Sequence, residues 1–187
     1  FSKLPFLHQS GAQVHISSFV GIPSPDRVAP QIDRISVLLI SDKGFGGLVI
    51  KMDLQDLKIE GHKIYVGSGV SMARVVNESV KAGLGGFEWG IGIPGTIGGS
   101  VRGNAGCFGS EMKDVVEMVW AVNTKDFQKS IFTNSECGFK YRDSFFKHNQ
   151  TFIIASAVLT LTEGDLLESR KKILEYTTHR SQTQDIG

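Results

Sequence analysis

The sequence has little cysteine, and no arrangement of it that could carry structure or bind metal. Its 187 residues include two, Cys107 and Cys137, which excludes a disulfide framework and a cysteine-rich zinc site. Both thiols read as small buried hydrophobes of a reducing compartment. The five histidines (His8, His15, His62, His148 and His179) lack metal-ligand spacing and read as structural or surface residues. Charge of one sign is also missing. A formal net charge of +1 gives no field that would draw the chain to nucleic acid or an anionic membrane. The longest apolar stretches, such as residues 153–159, are far too short to span a bilayer. No basic segment followed by an apolar one opens the chain as a secretory signal would. Nor does methionine come first: the chain begins at Phe1, which suggests a fragment or a processed chain. There are no internal repeats and no low-complexity tracts. What remains is the composition of an ordinary globular protein, 41% hydrophobic and 21% charged, long enough for one domain or two small lobes.

Residues 1–34 are hard to read, because Pro5, Pro23, Pro25 and Pro30 break any long helix or central strand. Two short apolar pieces there, 14–16 and 19–22, are weak strand candidates. From Ile35 the signal sharpens. Val37, Leu38, Leu39 and Ile40 form the continuous apolar run of a strand buried on both faces, and Ser41, Asp42, Lys43 and Gly44 supply a turn. Residues 48–52, 56–60 and 63–66 predict successive short strands, with Gly61 at the last turn. Residues 71–82 predict a helix: Ser71 is a suitable N-cap, Met72, Val75, Val76 and Val80 share a face, and Gly83 follows as a terminator. Residues 115–122 predict a strand followed by a polar turn at 123–126, and residues 151–162 a further strand that alternates, Ile153, Ala155, Ala157, Leu159 and Leu161 against Phe152, Ile154 and Val158. Asp165 is placed to cap a final helix with Leu166, Leu167, Arg170, Ile173 and Leu174 near one face, fraying from Thr177 onward. Strands followed by single helices, without regular alternation, argue an α+β fold.

Between Gly83 and Gly109 lie eleven glycines, half of the chain's 22. This is no flexible linker, because Phe87, Trp89, Ile91, Ile93, Ile97, Val101 and Phe108 are interleaved throughout. Within it, Ile93, Pro94, Gly95, Thr96, Ile97, Gly98 and Gly99 precede Gly103, Asn104, Ala105 and Gly106. A pyrophosphate must be met by backbone N–H groups at close range, and side chains at those positions would obstruct it. Pro94 stiffens the loop and lowers the ordering entropy of binding. A close-packed set of turns with no ligand is the other reading of the same residues.

The run from Gly90 to Gly99, continuing through Arg102, Gly103, Asn104, Ala105 and Gly106 to Gly109 and Glu111, resembles the flavin-contacting signature of the UDP-N-acetylenolpyruvoylglucosamine reductase family. Tyr141, Arg142, Asp143, Ser144 and Phe146, with Cys137 and Phe139 just upstream, resemble its second signature. Gly67, Ser68 and Gly69 resemble a further turn near the cofactor, and residues 41–50 the segment after the first phosphate loop. The likeness runs from about Ser36 to about Gln184. It implies an FAD-binding fold of the vanillyl-alcohol oxidase (PCMH) type, two α+β lobes with FAD between them and a third domain closing over the substrate. It further implies that NADPH reduces the flavin, whose N5 delivers hydride to the enolpyruvyl group of UDP-N-acetylglucosamine. The product would be UDP-N-acetylmuramate, a cytoplasmic peptidoglycan precursor in bacteria. By this resemblance Ser36, Gly67, Gly69, Ile93, Pro94, Gly95, Thr96, Gly98, Gly99, Asn104, Ala105 and Gly106 hold the cofactor. Arg142 is the catalytic cation beside the developing enolate, and Tyr141 lies next to it in the substrate pocket. Glu88 reads as structural, and Glu111 as a local acceptor for loop N–H groups.

The sequence also departs from the family. Asp33, Arg34 and Ile35 stand where the initial phosphate loop has glycines, so Ser36 alone of that loop matches; an Asp there would repel pyrophosphate. The N-terminal lobe is short, with residues 18–22 a faint echo of a longer β-α-β unit. Thr183 and Gln184 resemble the stretch just before the third domain, which carries the proton-donating Ser and a catalytic Glu. The expected organisation is therefore a truncated first lobe (1–50), a second lobe with the glycine-rich loops (51–164), and a helix and linker (165–187) toward an absent substrate domain. Three readings follow: a reductase represented by a fragment, a non-catalytic relic without FAD, and a related FAD-dependent oxidase. The Tyr141–Ser144 signature argues against the oxidase. For the isolated chain the expectation is weak FAD binding at best and no turnover.

Overall fold

The computed structural model describes residues 52–183, together with the backbones of the strands His15–Phe19 (β1) and Gly47–Lys51 (β2). These two pair antiparallel, with Ser17 opposite Val49. The apolar pieces at 14–16 and 19–22 thus belong partly to a single strand that runs through the serines between them. The strand candidate at 37–40, the turn at 41–44, Ser36 and the rest of the altered phosphate loop lie outside the described residues.

A five-stranded antiparallel sheet positions everything else. In chain order its members are Leu57–Glu60 (β3), Lys63–Gly67 (β4), Val116–Asn123 (β8), Lys129–Thr133 (β9) and Phe152–Thr160 (β10). Across the sheet the order is β3, β4, β10, β8, β9. Ile64, Val66, Val119, Ala157 and Leu159 are buried in a core that Met72, Val75 and Val76 close from the helix Met72–Lys81 (α1). That helix forms as its residues dictate. The Ser71 side chain accepts a bond from Arg74 N–H at 3.3 Å, and Gly83 beyond the helix end takes φ +73°.

The structure differs from the sequence reading in four places. First, the alternation along β10 is not strict, because register shifts fall at Ile154/Ser156 and Val158/Leu159. Ile154 and Ala155 are therefore both buried, as are Ala157, Val158 and Leu159, since each bulge changes the phase of the pleat. Second, β9 has no apolar run to announce it: Lys129, Ser130, Ile131, Phe132 and Thr133 pair because the hairpin from β8 returns them to the sheet, with Trp120 opposite Ile131. Third, the glycine-rich segment contains a helix, Ile97–Arg102 (α2), following the two-residue strand Leu84–Gly85 (β5) and a 3-10 turn at Glu88–Gly90. A hairpin of Gly106–Cys107 (β6) and Ser110–Glu111 (β7) follows it. Fourth, the last helix does not fray at Thr177. After the short helix Phe145–His148 (α3) and strand Thr162–Glu163 (β11), α4 runs from Leu166 to Thr183. Asp165 does cap it, accepting from the Leu167 and Glu168 N–H groups at 2.9 Å. Its packed residues are Ser169, Ile173, Tyr176 and Arg180, whereas Leu167 and Leu174 are 72% and 67% exposed. Of the expected face Ile173 packs inward, while Leu166, Leu167, Arg170 and Leu174 are turned outward, because the glycine segment offers hydrogen-bonding and aromatic partners to Ser169, Tyr176 and Arg180.

Candidate functional site

Two glycine turns are laced together beside α2. The Gly98 N–H donates to the Ser68 carbonyl and the Ile97 N–H to the Val70 carbonyl, each at 2.9 Å. The Met72 N–H donates to the Gly95 carbonyl at 3.2 Å, and Ser71 and Thr96 form a bridge. Gly67, Gly69, Gly95, Thr96, Gly98 and Gly99 are in this way brought into one place. Ile93 and Pro94 lead into it, half-buried and exposed respectively.

The glycines of this cluster divide by what a side chain would meet. At Gly67 a Cβ would fall on the Leu54 carbonyl, at Gly69 within 2.6 Å of the Met52 oxygen, and at Gly98 within 2.7 Å of the Ser68 Cβ. These three are required by the protein's own close packing, as the ligand-free reading holds. Gly95 and Gly99 are different. A Cβ at Gly95 would meet nothing within 4 Å, and one at Gly99 only Thr96 Oγ1 at 3.9 Å. Gly95 has φ +110°, which supplies a backbone reason. Gly99 has neither reason, and it sits exposed in a helix that alanine would favour by about 1 kcal/mol. Ser68, packed against the neighbouring Gly98, has its Oγ buried and without a hydrogen-bond partner, and the Thr96 side chain makes no capping bond. The residues present therefore fit a bound phosphate-bearing cofactor along Gly95, Thr96 and Gly99.

Asn104, Ala105 and Gly106 continue from α2 into a second region. The Ala105 N–H donates to the Ser100 carbonyl at 2.8 Å and the Met112 N–H to the Ala105 carbonyl at 2.9 Å. Asn104 is 1% exposed, with φ +42°; its Nδ2 donates to the Lys140 carbonyl and its Oδ1 accepts from the Lys113 N–H, both at 2.9 Å. Any cofactor contact by Asn104 would then fall to its backbone. The Lys140 and Asp143 main chains bond reciprocally at 3.0 Å, making a tight turn with Tyr141 and Arg142 at its tip. Arg142 has φ +53°, and its Nη2 donates to the Gly106 carbonyl at 2.7 Å. An open cavity of about 330 Å³ lies between this turn and the β6–β7 hairpin, lined in part by Cys107, Ser110, Glu111, Tyr141 and Arg142. Asp143 does not pair with Arg142. It meets His148 Nε2 at 2.7 and 2.9 Å, and that contact holds its carboxyl below the usual range. No group of three metal-ligating side chains occurs among the described residues.

A family model described as an FAD binding domain matches residues 35–126, a span containing Ser36 and both glycine turns. UDP-N-acetylenolpyruvoylglucosamine reductase of Carboxydothermus hydrogenoformans is 39% identical over 154 residues, covering 81% of this chain and 50% of its own length. The enzyme of that name from Caldanaerobacter subterraneus is 38% identical over 150 residues, 80% of this chain and 49% of its own. The crystal structure of UDP-N-acetylenolpyruvylglucosamine reductase from Thermus caldophilus aligns with TM-score 0.59 at 31% identity, over 65% of this chain and 44% of that one. The chain belongs to the UDP-N-acetylenolpyruvoylglucosamine reductase family, as its FAD-binding portion. It spans about half the length of the curated relatives it matches, and its fold is an α+β FAD-binding fold.

Within this family portion, several contacts were hidden from sequence reasoning. Glu88 is buried, accepting from the Ser169 hydroxyl at 2.6 Å and the Gly86 N–H at 2.8 Å, a structural role as expected. Burial alone would push its carboxyl up, but these donors, with Lys172 nearby, hold it below the usual value. Glu111 accepts from the first turn that follows it, in a capping box with Asp114. Phe108 stacks on Tyr176 with ring centroids 4.1 Å apart and lies against the Arg180 guanidinium at 5.7 Å. Phe108 and Gly109 take φ +54° and +82° at the tip of the β6–β7 hairpin, and Gly109 is the one sign of that turn in the sequence. Cys137 is fully buried and Cys107 half-buried at the cavity. Among the described residues no helix is long and apolar enough to cross a membrane.

Proposed function

We propose that the chain is the FAD-binding portion of an NADPH-driven reductase that converts UDP-N-acetylglucosamine enolpyruvate to UDP-N-acetylmuramate, a cytoplasmic step toward bacterial peptidoglycan. The observation that carries this reading is Arg142. Its guanidinium is held by the Gly106 carbonyl at the edge of an open cavity, on a backbone conformation that residues with a Cβ rarely adopt.

Gly95, Thr96 and Gly99 would hold the cofactor's phosphates, with Ser68 Oγ within the same turn and Gly67, Gly69 and Gly98 keeping the backbones close. Ile93 and Pro94 would shape the approach, while Ala105, Gly106 and the Asn104 backbone lead from it to the cavity. Ser36 would add the one matching residue of the first phosphate loop. Bound there, FAD reduced by NADPH is the hydride source for the enolpyruvyl group. Arg142 acts electrostatically: negative charge gathering on the enolpyruvyl carboxylate is met by a fixed cation that stays protonated in any surroundings. Tyr141, 86% exposed at the tip of the turn, would pack on the sugar nucleotide once a substrate domain covers it. In this reading residues 1–50 are a shortened first lobe, 51–164 the second lobe, and 165–187 the connection toward that substrate domain, which supplies the proton donor.

The test is to purify the chain, add FAD, remove the excess and record the visible spectrum. Retained flavin absorption that bleaches with NADPH supports the proposal. A colourless protein would favour the relic reading, in which Asp33 and its neighbours in place of glycines have ended cofactor binding.

A further inference from the structure

We infer that Asn104 is a positioning residue for Arg142, whose amide ties the two walls of the cavity to the turn that follows the hairpin. This rests on the reading of Arg142 as the substrate-facing cation. One wall, the β6–β7 hairpin, follows closely on Asn104. The other, the turn carrying Tyr141 and Arg142, is held by Asn104 Nδ2 donating to the Lys140 carbonyl at 2.9 Å. The turn after β7, just beyond the cavity lining, is held by the Lys113 N–H donating to Asn104 Oδ1 at 2.9 Å. A return bond completes the clasp: Arg142 Nη2 donates to the Gly106 carbonyl at 2.7 Å.

The residue type follows from these demands. The position needs a donor and an acceptor on one short planar group, and a backbone that accepts φ +42°. Asparagine meets all three, because its amide carries both functions and it enters the left-handed region more readily than most residues. Aspartate would keep the acceptor for Lys113 and lose the donor for Lys140. With the side chain 1% exposed, water cannot replace a lost partner cheaply. Two further bonds brace the same turn from outside, Lys147 Nζ to the Arg142 carbonyl at 2.8 Å and Ser144 Oγ to the Arg102 carbonyl at 2.7 Å. Neither reaches the turn after β7; among the described residues, Asn104 is the side chain that hydrogen-bonds to both turns.

The experiment compares the 187-residue chain with Asn104→Asp and Asn104→Gly. Aspartate removes one bond, and glycine removes both while tolerating the backbone angle. Heteronuclear NMR would report order at the Arg142 side-chain N–H and along the 140–143 backbone. Calorimetry would report binding of UDP-N-acetylglucosamine enolpyruvate. The expected result is unchanged sheet resonances, lost order at Arg142, about tenfold weaker binding of the enolpyruvyl sugar nucleotide, and unaltered FAD retention. Undiminished order at Arg142 in both variants overturns the inference. So does FAD retention falling in step with ligand affinity, which would make Asn104 a cofactor residue. Unfolding of both variants overturns it too, since Asn104 would then support the whole fold. If the unmutated chain itself ignores the enolpyruvyl sugar nucleotide, the functional reading fails, while the order at Arg142 still decides the clasp.

Discussion

Arg142 sits at φ +53° although it carries a Cβ, a conformation that costs roughly 1–2 kcal/mol relative to an ordinary one. Glycine would relieve that strain and lose an exposed hydrogen bond to the Gly106 carbonyl and an exposed contact of the guanidinium with the Tyr141 ring at 5.9 Å. Arg142→Gly is therefore expected to melt at or above the temperature of the unmutated chain while binding no enolpyruvyl sugar nucleotide; a drop of several degrees would show that the side chain serves the fold instead. Residue chemistry makes a second prediction at the cysteines. Burial, with Glu136 adding to it, pushes the Cys137 thiol up to about 12, and no resolved bond favours its thiolate. A thiol reagent at pH 8 should titrate Cys107 in the folded chain and reach Cys137 only in denaturant. Equal fast reaction at both would contradict the burial described here. Little of this was legible beforehand: a motif can mark Arg142 as functional, but nothing in residues 140–143 announces a positive φ at an arginine.

At the scale of elements, α2 sets close packing and open space side by side, at Gly98 and Gly99. Gly98→Ala would drive a methyl against the Ser68 Cβ, and overpacking of this kind destabilises by about 1–3 kcal/mol. Gly99→Ala would meet open space and gain helix propensity, stabilising by up to about 1 kcal/mol. The expected outcome is opposite signs in urea midpoints, with Gly99→Ala alone both well folded and poorer at retaining FAD. Equal flavin retention by Gly99→Ala and the unmutated chain would remove Gly99 from the cofactor site. Elements with a strong periodic pattern were readable: α1 begins and ends where Ser71 and Gly83 place it. Those governed by partners were not, and α2 shows why. Its glycines discourage a helix locally, yet bonds from Ile97 and Gly98 to the β4 turn hold its first residues in place.

Across the whole molecule, α4 is fastened to the glycine segment by a buried carboxylate, a stacked ring pair and an arginine. Glu88 accepts from Ser169, Tyr176 lies on Phe108, and Arg180 Nη1 donates to the Gly92 carbonyl at 3.3 Å. The Glu88 carboxyl titrates below its ordinary value, so its contribution is present above the usual carboxylate range and is lost as pH falls through the depressed one. Ser169→Ala removes a donor to the charged form, so desolvation dominates and the carboxyl titrates higher. Urea midpoints measured against pH should then begin their acid decline at a higher pH in Ser169→Ala than in the unmutated chain. Coincident profiles would mean that Glu88 does not couple α4 to the rest.

The sequence by itself determined the family, the α+β class and the glycine-rich segment, and it singled out Arg142 as a candidate, because motifs and periodicities are local and survive without coordinates. Only the tertiary structure decided which glycines serve packing and which face outward, since Gly98 and Gly99 are indistinguishable until Ser68 is placed beneath one of them. It also decided the packed face of α4 and the reach of Asn104 to Lys140 across 36 positions. Those outcomes depend on what a side chain meets in space, and a contact between distant segments leaves no trace in the spacing of either one.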